Sequence, residues 1–194
     1  MTTTDRLILA SGSPRRRELL EAAGYEFEVI EPDESAECGV CSGGGPAALV
    51  SELALCKAVD VAQRIDCGLI IAGDTVAESR GQILGKPADR DHAERMLREL
   101  GGREHRVFTG ICVWRVPNTK PDVQVATTSL VMDALTDEQL AEYLDTDAWQ
   151  GKAGAFGYQD ALGWVKVLEG SESNVVGLPM ELLEQMLTAN GYRR

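Results

Sequence analysis

Short buried strands alternate with amphipathic helices along this 194-residue chain, and this alternation limits the fold more than any other feature. Elements that alternate in this way form layered α/β domains, in which helices cover the faces of a sheet. The predicted strands lie at 6–11, 25–32, 68–73, 105–116, 123–135 and 164–170. The predicted helices lie at 14–24, 46–65, 90–102, 136–145 and 178–192. We treat residues 1–194 as a single domain.

Two of the predicted strands form a hairpin, which excludes a purely parallel sheet. Only the turn-like segment PNTKPD separates strand 105–116 from strand 123–135. The helix at 136–145 opens with a capping box formed by Thr136 and Gln139. The expected inward residues of helix 46–65 are Leu49, Val50, Leu53 and Cys56, and those of helix 90–102 are Ala93, Met96, Leu97 and Leu100.

The composition excludes several classes of partner. A net charge of −12 disfavours nucleic acid polymers and anionic membranes. The apolar run at 67–73 is far shorter than the ~20 residues of a spanning helix, and residues 1–11 lack the features of a signal peptide. Five irregularly spaced cysteines are typical of reduced thiols. We expect a cytoplasmic protein with a small anionic partner, and a homodimer stays open.

Three consecutive arginines occupy the first turn of the first predicted helix, where positive charge is unfavourable. Each exposed cation there opposes the helix dipole by roughly 0.3–1 kcal/mol. An anion bound among Ser11, Ser13, Arg15 and Arg16 would offset this, because hydroxyls, guanidinium groups and helix N-termini all bind phosphate. The segment SGSPRR therefore indicates a phosphate site, and the alternative is a group of solvated surface arginines.

A carboxylate follows the apolar run LIIA in the segment AGDTV. We expect the strand to end abruptly at Gly73 and Asp74, so that Asp74 faces an opening at the strand tip. There it could ligate a hard divalent cation or act as a general base on water. The alternative is an aspartate that only forms a turn.

Three lysines and one glutamate complete the candidate site. Lys57 interrupts the inward stripe of its helix, while Lys86 and Lys152 lie in glycine-flanked loops. Each lysine alone is typical of a solvated surface. Together with Glu34 and the arginines, they have the composition of a metal–polyphosphate site.

Two other motifs are weak. The CGVC segment at 38–41 lacks a second CxxC at zinc spacing, and it lies in a glycine-rich loop, so we expect Cys38 and Cys41 to be dispensable. His92 and His105 fit no metal-ligand pattern, and the chain contains no GxSxG nucleophile elbow.

An ordered set of motifs resembles the Maf family of nucleoside triphosphate pyrophosphatases, also described as septum-formation-inhibitor-like proteins. The motifs are LILASGSPRRRELL, LALCKA, IIAGDTV, ILGKP, AERMLRELGGREHRVFTG, KAGAFGYQ and SNVVGLP. The resemblance implies an elongated mixed sheet with flanking helices and two lobes around a cleft, similar to inosine-triphosphate pyrophosphatases.

The resemblance also implies roles for individual residues. Asp74 corresponds to the family's proton acceptor. Positions that tune substrate choice correspond to Arg15, Thr75 and Gln159. Other cleft residues correspond to Arg16, Glu34, Lys57 and Lys86. The DTV segment together with YQ is similar to the branch that acts on dTTP and UTP rather than on 7-methyl-GTP.

The expected reaction is hydrolysis of dTTP or UTP to the monophosphate and pyrophosphate with Mg²⁺ or Mn²⁺, and modified pyrimidine nucleotides are further candidate substrates. Asp74 would activate water, Glu34 would help Asp74 to hold the metal, and Gln159 would offer a donor and an acceptor to the O4 and N3–H edge. Two alternatives stay open. One is a pyrophosphatase for 7-methyl-GTP or another modified purine triphosphate, and the other is a nucleotide-binding regulator of cell division with little turnover.

Overall fold

The computed structural model describes residues 6–37, 43–117, 119–160 and 162–193. Within these residues, the strands are β1 (Leu7–Ala10), β2 (Glu28–Val29), β3 (Gly68–Ser79), β4 (Gln82–Leu84), β5 (Arg103–Val116), β6 (Asp122–Met132) and β7 (Val165–Glu169). The α-helices are α1 (Pro14–Ala22), α2 (Gly45–Ala62), α3 (Arg90–Leu100), α4 (Asp137–Asp145), α5 (Glu172–Val176) and α6 (Met180–Ala189). Short 3₁₀ helices lie at Glu34–Glu37, Ala153–Ala155 and Tyr158–Asp160.

The described strands form one mixed sheet in the order β2-β1-β3-β5-β6-β7, with β4 added at the edge of β3. Strand β1 is parallel to β2 and β3, and the remaining pairs are antiparallel. The predicted hairpin is β5 and β6, and helices flank the sheet. The predicted mixed α/β fold class is therefore confirmed.

Strand β3 does not end at Asp74, and that prediction is wrong. The strand continues to Ser79 because β5 pairs with it along almost its whole length, from Gly68 opposite Val116 to Glu78 opposite Arg106. The partner strand is distant in sequence, so local polarity gave no sign of this pairing. Asp74 consequently lies in the middle of a strand.

Two other element predictions need correction. The strand expected at 25–32 shortens to Glu28–Val29, because β1 pairs with it at only two positions. The helix expected at 46–65 buries a face that is rotated from the predicted stripe. Leu49, Leu53 and Cys56 are only partly buried. The buried residues of α2 are Val50, Ala54, Lys57, Ala58 and Val61.

The rotation of α2 follows from a close approach to the sheet. A Cβ atom added at Gly110 of β5 would lie 2.2 Å from the backbone oxygen of Val50, so the helix backbone nearly touches the strand. The small side chains of Ala54 and Ala58 then pack against the sheet, and the larger leucines lie at the sides. This contact brings Lys57 onto the sheet.

Helices α3 and α4 follow the sequence predictions closely. Helix α3 buries Ala93, Met96, Leu97 and Leu100. The capping box of Thr136 and Gln139 is present at the start of α4, with both hydrogen bonds formed. In the part of the chain that the structure describes, no helix has the length and apolar character to cross a membrane.

Candidate active site

The candidate site lies at a gap in the edge of strand β3. Strand β1 pairs with β3 only as far as Ala72, and β4 pairs with it again only from Ala77. Among the described strands, none pairs with this edge of β3 at residues 73–76. Asp74 and Thr75 are neighbours in the strand, so their side chains lie on opposite faces of the sheet. Because this edge of the sheet is open, both side chains can reach the same cleft.

A cleft of about 580 Å³ fills this gap, and every site residue predicted from the sequence lines it. These residues are Ser11, Ser13, Arg15, Arg16, Glu34, Lys57, Asp74, Thr75, Lys86, Lys152 and Gln159. Lys86 and Gln159 are exposed at its rim, whereas Arg16, Lys57 and Lys152 are buried in its walls. The structure thus brings the predicted residues together, and their individual roles stay predictions.

Asp74 forms a close ion pair with Lys57 on the α2 face of the sheet. Lys57 Nζ lies 2.6 Å from Asp74 Oδ1, and the two side chains are only 6% and 15% exposed. Two opposite charges that are buried together compensate each other when they are in direct contact. The pair therefore presents an oriented carboxylate to the cleft.

Arg16 ties three segments together on the opposite face. Its Nε donates to the Gly177 carbonyl at 2.8 Å, and Nη1 and Nη2 donate to Ser11 Oγ and Thr75 Oγ1, each at 3.0 Å. Thr75 Oγ1 also lies 2.9 Å from Thr109 Oγ1. This buried guanidinium fixes the cleft wall and brings its charge to the cavity.

The arginine triplet therefore separates into three different environments. Arg15 donates to the Gly151 carbonyl at 2.9 Å across the cleft, and Arg17 is exposed. Burial lowers the pKa of Arg15, and the nearby Asp160 carboxylate partly opposes that shift. Ser13 is the N-cap residue of α1 without a side-chain capping bond, and Ser11 Oγ accepts from the Ser13 N–H instead.

The segment that carries Gln159 is anchored by a second buried ion pair. Lys152 Nζ lies 2.5 Å from Asp160 Oδ2, which also accepts from the Tyr143 hydroxyl at 2.8 Å. Burial, followed by the hydrogen bond to Asp160, raises the pKa of Tyr143. A Cβ at Gly157 would collide with the Lys152 and Asp160 side chains, so a larger residue there would have to displace this ion pair. Sequence reasoning missed Asp160.

One end of the cleft is apolar except for a histidine. The apolar residues there are Ala77, Leu100, Val107, Leu130, Phe156 and Val175. His105 also lines the cleft, although the sequence indicated no role for it. The signal that could have identified it is the alternation along β5, since His105 shares a face with Val107 and Thr109. His92, in contrast, accepts from the Ala88 N–H outside the cleft.

Carboxylates near the cleft do not form a complete metal site by themselves. Among the described residues, no group of three or more His, Cys, Asp or Glu side chains could hold a metal ion. Glu31, Asp33, Glu34 and Asp74 nevertheless line the cleft. Such a donor set fits Mg²⁺, which commonly takes one or two protein carboxylates and completes its shell with phosphate and water. Cys38 and Cys41 lie outside the described residues.

Two solved structures of low sequence identity share the fold. The Ham1 protein of Staphylococcus aureus matches with a TM-score of 0.53 at 14% identity, over 95% of this chain and 99% of that one. A HAM1 protein of Coxiella burnetii matches with a TM-score of 0.52 at 16% identity, over 95% and 98% of the two chains. At such identities the likeness concerns the fold alone.

Sequence relatives are much closer. A dTTP/UTP pyrophosphatase of Rhodopirellula baltica is 59% identical over 184 residues, which cover 94% of this chain and 81% of that relative. A dTTP/UTP pyrophosphatase of Pelotomaculum thermopropionicum is 40% identical over 189 residues, 96% of this chain and 97% of that relative. The family model described as Maf-like protein matches residues 6–190. With a match of that span and relatives of this similarity, the chain belongs to the Maf-like protein family.

Proposed function

We propose that this protein hydrolyses dTTP and UTP between the α- and β-phosphates and releases the monophosphate and pyrophosphate. The observation that carries the proposal is the Lys57–Asp74 ion pair in a cleft that also contains Arg15, Lys86 and Lys152. A carboxylate that can accept a proton and cations that can bind a polyphosphate are the parts that this reaction needs. The names of the relatives support the same activity.

In this proposal Asp74 accepts the proton of the attacking water. Lys57 holds the carboxylate in place, since its ammonium group donates to Oδ1 at 2.6 Å. The other carboxylate oxygen, Oδ2, would then act on the water either directly or through a bound divalent cation. Arginine and lysine charges in the cleft stabilise the negative charge that develops on the departing pyrophosphate.

Glu34 and Asp74 would hold a divalent cation, with Glu31 and Asp33 close to it in the lining. A bound Mg²⁺ or Mn²⁺ would neutralise phosphate charge and polarise the reacting phosphoryl group. A nucleotide substrate of this kind is part of the soluble nucleotide pool, so a cytoplasmic location belongs to the proposal.

The base would lie in the apolar end of the cleft. Uracil and thymine are flat and largely apolar on their faces, which fits the aliphatic and aromatic lining there. Gln159 is exposed and lines the same cleft, and in this proposal its amide N–H donates to O4 of either base. A site built to hydrogen-bond one base edge rejects bases that leave its polar groups unpaired.

The test is a panel of nucleoside triphosphates assayed for product identity. Purified protein with Mg²⁺ is expected to convert UTP and dTTP to the monophosphate and pyrophosphate, and to lose this activity in excess chelator. Formation of the diphosphate and orthophosphate would contradict the proposed bond cleavage. Preference for 7-methyl-GTP would favour the modified-purine alternative, and tight binding without turnover would favour the regulator.

A further inference from the structure

His105 is a buried polar ring in an otherwise apolar part of the cleft. The residue is only 6% exposed, and it lines the cavity together with Val107, Leu130 and Phe156. An imidazole placed among such neighbours is costly unless its nitrogen atoms find hydrogen-bond partners. The partners that the protein provides are therefore informative.

Only one ring nitrogen has a partner among the described residues. His105 Nδ1 lies 3.5 Å from the Arg103 carbonyl oxygen, and no described group bonds to Nε2. A carbonyl oxygen can only accept, so this contact favours the tautomer with its proton on Nδ1 and leaves Nε2 as an acceptor. Burial lowers the pKa of His105, which keeps the ring neutral at physiological pH.

Nε2 is also not sealed inside the protein. Among the described residues, Asn174 Oδ1 is the one side-chain N or O atom that is both fully buried and without a hydrogen-bond partner. His105 Nε2 has no partner in the described part of the chain either, so it must keep some exposed surface. The ring lines the cleft, so the cleft is the space from which a ligand could reach this unbonded acceptor.

The position of the ring along β5 fits the length of a nucleotide. Thr109 lies opposite Thr75, which Arg16 contacts, and His105 is four residues further along the same face of β5. At the rise of an extended strand this separation is about 13 Å. A nucleotide whose phosphates lie near Arg16 would place its base near His105.

We propose that His105 Nε2 accepts a hydrogen bond from the N3–H group of uracil or thymine and thereby selects these bases over cytosine. The proposal rests on the proposed function and adds a specificity residue to it. Cytosine has an acceptor at N3, so it would place two acceptors against each other and leave both without a proton. Gln159 then recognises O4 from the rim, and the two residues divide the base edge between them.

The experiment compares two substitutions that differ in whether they retain an acceptor. In His105→Met the ring is replaced by a side chain of similar reach without a good acceptor, whereas in His105→Gln an amide oxygen can take the place of Nε2. His92→Gln is the matched control, since it changes the chain's other histidine, which lies outside the cleft. For each protein, kcat/KM is measured with UTP and CTP, and the folded state is checked by thermal melting.

The expected result is a wild-type preference for UTP over CTP that falls about tenfold or more in His105→Met. His105→Gln retains most of the preference, and His92→Gln leaves it unchanged. An unaltered UTP-to-CTP ratio in folded His105→Met would overturn the inference. Absence of pyrophosphate release from UTP in the wild type would instead overturn the proposed function.

A measurement on the wild type decides the matter if His105→Met does not fold. With only two histidines, ¹⁵N-labelled protein gives a simple imidazole spectrum. Uridine monophosphate is expected to shift the His105 Nε2 resonance from its position in the free protein, and cytidine monophosphate is expected to leave it there. A resonance that responds equally to both nucleotides, or to neither, would contradict recognition at N3.

Discussion

Asp74 and Lys57 come from different elements, and they meet as a buried ion pair. Lys57 reaches the sheet from α2, and its ammonium group is almost fully buried against the Asp74 carboxylate. Removal of one partner from a buried ion pair commonly lowers the stability of a protein by several kcal/mol, because the other charge stays buried without compensation. The proposed catalytic group is therefore part of the packing of the molecule.

Replacement of Asp74 by asparagine is expected to abolish most turnover while nucleotide binding is retained. The amide oxygen can still accept from Lys57, but it cannot take a proton, and general-base contributions are typically ~10²–10⁴-fold. The measurements are kcat for pyrophosphate release from UTP and the Kd of UTP by calorimetry. Asp145→Asn, at an exposed ion pair with Arg90, is the control. Near wild-type turnover in Asp74→Asn would assign the carboxylate a structural role.

Replacement of Gln159 by glutamate is expected to weaken the preference for UTP and dTTP over GTP. A carboxylate cannot donate to O4, and its charge repels the triphosphate. The measurement is kcat/KM with UTP, dTTP, CTP, GTP and 7-methyl-GTP. Gln185→Glu, on the exposed face of α6, makes the same charge change outside the cleft. If both variants keep the wild-type profile, the base is recognised by other residues.

The contact between α2 and β5 determines, at the scale of elements, where Lys57 lies. Gly110 allows the α2 backbone to approach β5 at Val50, and Lys57 is two turns further along the helix. A helix held at this distance places the lysine within reach of Asp74 on β3. The glycine thus positions a residue of the cleft without lining the cleft itself.

Gly110→Ala is expected to destabilise the protein by about 3 kcal/mol, because its Cβ would overlap the Val50 carbonyl and displace α2. For a chain of this size, that corresponds to a melting temperature lower by about 6–12 °C. Turnover is expected to fall as well, since α2 carries Lys57. Gly85→Ala is the matched control, because no atom lies within 4 Å of a Cβ there. Equal melting temperatures for the two variants would contradict the close contact.

The whole molecule is acidic, yet its cleft contains a cluster of cations beside its carboxylates. The net charge of −12 repels long polyanions from the surface, while Arg15, Lys86 and Lys152 attract a small anion into the cavity.

The two largest core clusters lie on either side of the cleft residues of the sheet. Ile71 and Ile111 belong to one cluster, and Ala77 and Val107 to the other, so β3 and β5 run through both.

Strands shared between both clusters predict one cooperative unfolding transition. Neither cluster can lose its strands without disrupting the other, so the single domain proposed for residues 1–194 is expected to melt as a unit. Scanning calorimetry is the measurement, with calorimetric and van't Hoff enthalpies that agree. Two resolved transitions would show that the parts on either side of the cleft unfold independently.

Local sequence signals were sufficient to predict some of the elements and to identify which residues belong to the candidate site. Thr136 and Gln139 specify the start of α4, and the spacing of Ala93, Met96, Leu97 and Leu100 specifies the buried face of α3. Periodicity and capping act over three or four residues, so they can be recognised without the fold. The family resemblance of the motifs predicted residues that line the cleft in the structure.

Other features depended on contacts between distant segments. The continuation of β3 past Asp74 depends on pairing with β5, and the buried face of α2 depends on the close approach at Gly110. The partners of Arg16, the anchoring of Lys152 by Asp160 and the place of His105 in the apolar end arise in the same way. The sequence by itself determined the helices with local signals, the mixed character of the sheet and the chemistry available. Only the tertiary structure decided which edge of β3 is open and which side chains meet there, because pairing and packing energies depend on residues far apart in the chain.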